Sequence, residues 1–246
     1  MIGRRVKQAL KLLRLLRRSG YRRGLCFGVG AAVEHEALFA GKSFATLVDV
    51  GANTGQFSLL ARTLAPGCRI IAFEPLARPA RVFCRLFSGD ARTTLHRCAL
   101  GLTAGTAAMN VSRRDDNSSL LEIGPGQVSF APGTEACGTE SVAVAPLVDF
   151  IGPDDIVSPA LLKIDVQGYE ATVLAGAVGL LRQFDYIYCE SSFVELYIGQ
   201  PLISSIIETL RVSGFVLMSV DNVCHGRDGL PVQADFLFRR AVAIAD

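Results

Sequence analysis

The stretch Leu47-Val48-Asp49-Val50-Gly51-Ala52-Asn53-Thr54-Gly55 constrains this chain more than any other. An apolar run carries an acid near its end, two glycines bracket a polar turn, and helix-forming residues follow. That order specifies a buried strand, a tight turn and a helix start. Glycine reaches backbone conformations closed to other residues and lets a ligand approach. The unpaired N–H groups of a helix start favour polar or anionic ligand groups. In an open α/β sheet, a turn at the carboxyl end of the first strand is where nucleotide-like ligands bind. A buried strand–turn–helix with a capping Asn53 and no ligand fits the same residues.

A pyrophosphate-binding turn needs Gly-x-Gly-x-x-Gly. Here only Gly51 and Gly55 are glycine, and Asn53 stands in the middle position. The next apolar run, 69–73, leads into Glu74-Pro75. A carboxylate about 20 residues after the first turn suits the two hydroxyls of a ribose. The two turns together point to an adenosine-bearing ligand without a pyrophosphate, which describes S-adenosylmethionine.

The flanking pattern supplies the fold. Residues 44–50, 69–74 and 94–100 read as strands, with helices after Gly55 and over 79–87. Residues 101–145 break this rhythm. They are rich in Gly, Ser, Thr and Pro, and two alternating stretches, 106–112 and 139–145, predict antiparallel strands around a mobile segment at 124–138. Long loops inside compact domains often carry function. Strand 161–166, helix 168–182, strand 184–190 and helix 201–213 follow, then strands 215–221 and 234–239. The expected fold is α/β: a Rossmann-like, doubly wound, mostly parallel sheet with a C-terminal antiparallel hairpin. This fits a class I methyltransferase sheet better than the two mirrored halves of a dehydrogenase.

At 246 residues and half hydrophobic, the chain is long enough for one large domain with a sizeable core. The net charge is only +2, which gives no general case for nucleic acid. Charge is nevertheless uneven. Every charged residue from Met1 to Val33 is basic, and residues 4–19 place leucines at spacings of three and four. We expect 1–33 to form a basic amphipathic helix, ended by Ser19-Gly20, and a linker, with 34–246 as the catalytic domain containing the 101–145 insertion. Such a helix, over residues 4–23, can touch an anionic membrane or pack on its own domain. The seven scattered cysteines form no Cys-x-x-Cys pair, which argues for a reducing compartment. No apolar run is long enough for a transmembrane helix, and 24–33 makes a poor signal peptide. A cytoplasmic protein, whose N-terminal helix can make a peripheral membrane contact, is the expectation.

The ordered set Val48-Asp49-Val50-Gly51-Ala52-Asn53-Thr54-Gly55, Phe73-Glu74-Pro75, Asn117-Ser118-Ser119, Lys163-Ile164-Asp165-Val166-Gln167-Gly168-Tyr169-Glu170, Glu190-Ser191-Ser192-Phe193 and Tyr197-x-Gly199-Gln200-Pro201 resembles the FkbM family of S-adenosylmethionine-dependent methyltransferases. The resemblance spans roughly residues 44–240. It implies methyl transfer to a hydroxyl oxygen, often on a sugar, polyketide or glycolipid. Gln167 departs from the family, where Glu is common.

The resemblance and the strand-end positions together nominate a cofactor site. Asp49, Gly51, Asn53 and Gly55 would surround the methionine part, Glu74 the ribose, and Cys98, Ala99 and Leu100 the adenine. Asn117 and Ser118 would reach over from the insertion, unless they form only a surface turn. Asp165 has three open roles: general base, ligand for a divalent metal, or anchor for the cofactor amine. It could also simply cap the following helix. Glu190 is the natural second acid, able to share a Mg²⁺ or the acid–base work. His225, in an expected hairpin loop, is a further candidate base, whereas His35 and His96 are expected outside the site and Lys163 is read as structural. The acceptor is then a small molecule or glycolipid. An RNA or protein methyltransferase and a non-catalytic scaffold are the alternatives, and the absence of an aromatic stacking platform weighs against RNA.

Overall fold

The computed structural model describes residues 4–241; the outermost ends of the two expected segments, 1–3 and 242–246, lie outside the described residues. The chain opens with α1 (Arg4–Leu16) and α2 (Ser19–Cys26), then a 3-10 segment, Val33–Phe39. The alternating part follows as β1 (Thr46–Val50), α3 (Gln56–Leu64), β2 (Arg69–Phe73), α4 (Ala77–Leu86) and β3 (Thr93–His96). β4 (Ala99–Leu100) leads into the insertion, which contains β5 (Gly105–Ser112), α5 (Pro125–Phe130) and β6 (Ala136–Ala145). The chain closes with β7 (Ala160–Ile164), α6 (Glu170–Gly176), β8 (Tyr186–Ser192), α7 (Ile203–Val212), β9 (Phe215–His225) and β10 (Pro231–Arg240).

The main sheet has the order β3-β2-β1-β7-β8-β10-β9. The pairs β3/β2, β2/β1, β1/β7 and β7/β8 are parallel, and β10 runs antiparallel to both its neighbours. The order reverses between β1 and β7, which opens a crevice at their carboxyl ends. Both faces are covered. Along β1, Leu47 joins a core with Ile70 and Leu161, and Val48 joins the opposite core with Ile71 and Leu162. A strand buried on both faces must be apolar at successive positions, which explains its unbroken pattern.

Four local expectations change. The run expected as one strand over 94–100 is two: it bends where Cys98 N–H donates to His96 O, leaving β3 in the main sheet and β4 in a small β4-β6-β5 sheet. Ser19-Gly20 does not end the N-terminal helical region but begins α2. A Cβ on Gly20 would meet Thr63, and one on Gly24 would meet Leu59. These glycines serve close packing of α2 on α3 rather than chain termination. The expected helix 168–182 is shorter, because Gln167 and Gly168 both take positive φ (56° and 97°) and delay its start. Within the segment expected to be mobile, 125–130 is the helix α5, whose Gln127 is buried.

Candidate active site

A cleft of about 430 Å³ lies over the carboxyl ends of β1, β2 and β7. Gly51, Asn53, Glu74, Ala99, Leu100, Asn117, Ser118, Asp165 and Glu190 all line it. Topology therefore gathers residues more than a hundred positions apart onto one sheet edge. Asp49 and Gly55 stand behind the lining: Asp49 is fully buried, and Gly55 packs on the rings of Phe83 and Phe87.

The first turn differs from an anion cradle. Gly51 and Ala52 N–H donate to Phe73 O, and Gly55 N–H donates to Ala52 O. Asn53 N–H donates to Glu74 Oε2 at 2.9 Å and Thr54 N–H to Asn53 Oδ1 at 2.6 Å. All five N–H groups are engaged within the protein, so the turn offers shape rather than free donors. Gly51 is also fixed by its neighbour: at φ 75°, a Cβ there would fall onto the carbonyl oxygen of Asp165. Its glycine character answers the approach of β7 to β1, not the approach of a ligand.

Glu74 is pinned at the end of β2. Its other oxygen accepts the Leu76 N–H at 2.8 Å. Burial pushes its pKa up to about 7, although the two N–H groups and Lys163 pull the other way. Below it lies a buried ion pair. Lys163 Nζ sits 3.2 Å from Asp49 Oδ1 and donates to Gly51 O at 2.9 Å. Ser58 Oγ donates to Asp49 Oδ2 at 2.7 Å. Burial alone would lower the Lys163 pKa, but Asp49 and Asp165 outweigh it and raise the value. Lys163 therefore neutralises the acidic strand ends and ties the first turn to β7.

At the centre, Gln167 joins the two acids. Its Nε2 donates to Asp165 Oδ1 and to Glu190 Oε2, both at 2.8 Å. Its Oε1 accepts from Tyr197 Oη at 2.7 Å, and its backbone carbonyl accepts from Ser119 Oγ at 2.7 Å. Tyr197 Oη also reaches the Asn117 carbonyl at 3.1 Å. The insertion is thus fastened to the β7–α6 turn through one residue. Burial raises the Glu190 pKa well above the carboxylate range, and the neighbouring Asp165 and Asp235 add to it. Asp165 and Glu190 also interact directly, so the Gln167 amide bridges the pair without separating it. Among the described residues no group of three or more His, Cys, Asp or Glu is arranged to hold a metal. Glu170, whose orientation the sequence leaves open, is buried and accepts the N–H groups of Val166 and Gly168.

The histidines exchange places relative to the cleft. His225 sits exposed at the end of β9, paired with Pro231, and does not line the cleft. The structure extends β9 through the residues expected as its loop, which carries His225 away. His35, expected outside, lines the cleft. Its Nδ1 lies 3.0 Å from Tyr188 Oη, 3.4 Å from Asp235 Oδ2 and 3.2 Å from Asn222 Nδ2. Asn222 in turn donates to Asp235 Oδ2 at 2.7 Å. His96 packs on Phe73 and Phe150, where burial lowers its pKa. His35 and Asp235 come from opposite ends of the chain with no local signature, so no sequence pattern could pair them. Gln167 and Tyr197 stood within recognisable motifs, but their mutual contact did not.

This sheet order, with an acid-lined cleft at the switch point and an antiparallel strand inserted beside the edge, defines a class I S-adenosylmethionine-dependent methyltransferase. The profile described as "Methyltransferase FkbM domain" matches residues 49–217, more than half of the chain, and the chain belongs to that family. Its methyl donor is S-adenosylmethionine. The chain is 29% identical over 171 residues to 2-O-methyltransferase NoeI of Sinorhizobium fredii, covering 67% of this chain and 70% of that protein. It is 27% identical over 198 residues to 31-O-demethyl-FK506 methyltransferase FkbM of Streptomyces tacrolimicus, covering 70% and 72%. Among solved structures, precorrin-6y C5,15-methyltransferase from Geobacter metallireducens is similar at 12% identity and TM-score 0.47, covering 85% and 87%.

Proposed function

We propose that this enzyme methylates a hydroxyl oxygen of a sugar-bearing, glycolipid or other secondary-metabolite acceptor. The observation that carries the reading is Glu74, a pinned carboxylate facing the same cleft as Asp165, Glu190 and His35. Both relatives named above carry oxygen-directed names, which supports oxygen as the target. The residues present suit the cofactor. Glu74 would accept from its ribose hydroxyls, while Gly51 and Asn53 would border the methionine part and Asp49 and Gly55 would back that turn. Ala99 and Leu100 would border the adenine, and Asn117 and Ser118 would close over it. Asp165 would face the cofactor amine.

When bound, the cofactor supplies an electrophilic methyl group; the chain must orient the acceptor, take its proton and exclude water. Glu190, held toward its neutral form, suits donation to an acceptor oxygen rather than proton removal. His35 suits proton removal. Tyr188, Asn222 and Asp235 surround its Nδ1, and its Nε2 has no hydrogen bond among the described residues.

Calorimetric titration with S-adenosylmethionine and S-adenosylhomocysteine, on wild type and Glu74→Gln, tests the cofactor assignment. Micromolar binding is expected for the wild type. The variant loses a charge and one acceptor for backbone N–H, so binding should weaken by about tenfold or more. A folded wild type that binds neither compound defeats the proposal and leaves a non-catalytic scaffold.

A further inference from the structure

Helix α1 is mounted with its charged flank inward. Lys11 Nζ lies 3.0 Å from Glu34 Oε2, and Arg14 reaches Glu36 Oε2 at 2.8 Å and the Val33 carbonyl at 2.6 Å. Leu15 is buried, at 6% exposure. Leu10, Leu12, Leu13 and Leu16 are instead exposed, at 49%, 50%, 57% and 45%. Helical spacing puts these four leucines on one broad side, with Arg17 among them. A helix that served only to cover its own domain would turn that side toward the core. A contiguous exposed apolar face marks an interaction surface.

Charge identifies the partner. No acid occurs before Glu34, and Arg17, Arg18, Arg22 and Arg23 are exposed without an ion pair among the described residues. Leucines flanked by arginines compose a helix that lies in the headgroup layer of an anionic bilayer. A second copy of the chain fits poorly. A twofold contact through this face would set the two arginine groups against each other.

We infer that α1 docks the protein on an anionic phospholipid surface. Leu10, Leu12, Leu13 and Leu16 enter the acyl boundary, and Arg17, Arg18, Arg22 and Arg23 meet the headgroups. Lys11, Glu34 and His35 line the cleft from the opposite flank of α1, so docking through the leucines holds the cleft one helix diameter, ~10 Å, from the bilayer. Taken with the methyltransferase reading, on which this last step rests, the acceptor class is a hydroxyl-bearing head group anchored in the membrane.

Flotation of the full chain with vesicles tests the docking. The protein should float with phosphatidylcholine–phosphatidylglycerol vesicles at low salt, leave them at high salt, and stay behind with phosphatidylcholine alone. Leu10→Ser/Leu13→Ser changes only exposed positions; it should keep the wild-type melting transition and lose about tenfold or more in vesicle binding. Arg17→Glu/Arg18→Glu should weaken binding by a similar factor. The inference is overturned if the wild type ignores anionic vesicles, floats equally with neutral ones, or floats no better than the leucine variant. Sedimentation velocity covers the other occupant: a wild-type dimer that the leucine variant dissolves, without vesicle binding, gives the face to a second copy. No readout here involves S-adenosylmethionine, so the methyltransferase reading rests separately on the calorimetry.

Discussion

Gln167 shows how much one side chain can organise. A carboxylic acid at this position would be a third acid crowded against Asp165 and Glu190. The amide instead donates to both acids and accepts from Tyr197, so the β7–α6 turn, β8 and the insertion share one hydrogen-bonded centre. The departure from the family pattern was legible in the sequence, but its consequence was not, because Glu190 and Tyr197 become neighbours only through the fold. His35 lies at the same scale and was not legible at all. It is more than 150 positions from both Tyr188 and Asp235, and a lone histidine beside two glutamates reads as surface. If His35 accepts the acceptor proton, His35→Ala should lower turnover by about 10²–10⁴-fold and leave cofactor affinity unchanged. Single-turnover methyl transfer to whichever hydroxylated acceptor the wild type methylates in a screen measures this. An unchanged rate assigns the proton to another group.

Among the elements, the β7–α6 turn carries a measurable electrostatic cost. Burial raises the Glu170 pKa from 4.5 to about 7. The folded chain therefore holds this proton more tightly than the unfolded chain does. The stability this gives is fully present below the unfolded pKa and is lost as pH rises through the folded one. The difference amounts to roughly 3 kcal/mol between about pH 4.5 and 7. One oxygen, Oε1, accepts both the Val166 and Gly168 N–H groups, and a glutamine amide oxygen can replace it. Glu170→Gln should remove this share of the pH dependence, so its stability relative to wild type should rise as pH increases over that window. Urea unfolding at a series of pH values checks it; an unchanged pH profile shows that Glu170 titrates normally. The first turn makes a related point. Its strand–turn–helix character was readable from the near-continuous apolar run and the glycine placement. The reason for Gly51 was not, since the Asp165 carbonyl that excludes a side chain follows a strand more than a hundred residues later.

At the scale of the whole molecule, the N-terminal segment is built into the body of the protein. Tyr21, Val29, Ala31 and Val33 are buried in the same core as Leu47, Phe57 and Leu60. Tyr21 Oη also donates to Glu36 at 2.9 Å. Removing residues 1–33 should expose this face of α3 and β1 and cost more than about 5 kcal/mol, since a single buried aromatic already contributes about 3–5. Circular dichroism of the truncated chain should then show no cooperative melting transition near that of the full chain. A wild-type transition would make the segment an independent attachment. This same integration leaves α1 as the outermost layer, its leucines turned away from a core that Tyr21 and Leu15 have already closed.

The sequence by itself determined the alternation of strands and helices, the parallel sheet with its closing hairpin, and the sheet edge that carries Asp49, Glu74 and Asp165. Those features are written in local periodicity, glycine placement and acids at strand ends, which neighbouring residues specify. Only the tertiary structure decided what stands opposite those residues. It placed Lys163 between Asp49 and Asp165, set Gln167 between two carboxylates, exchanged His225 for His35 and turned the leucines of α1 outward. Each of these depends on which strands lie side by side and which face a helix has left to bury. Those are properties of packing between distant segments, and no local pattern encodes them.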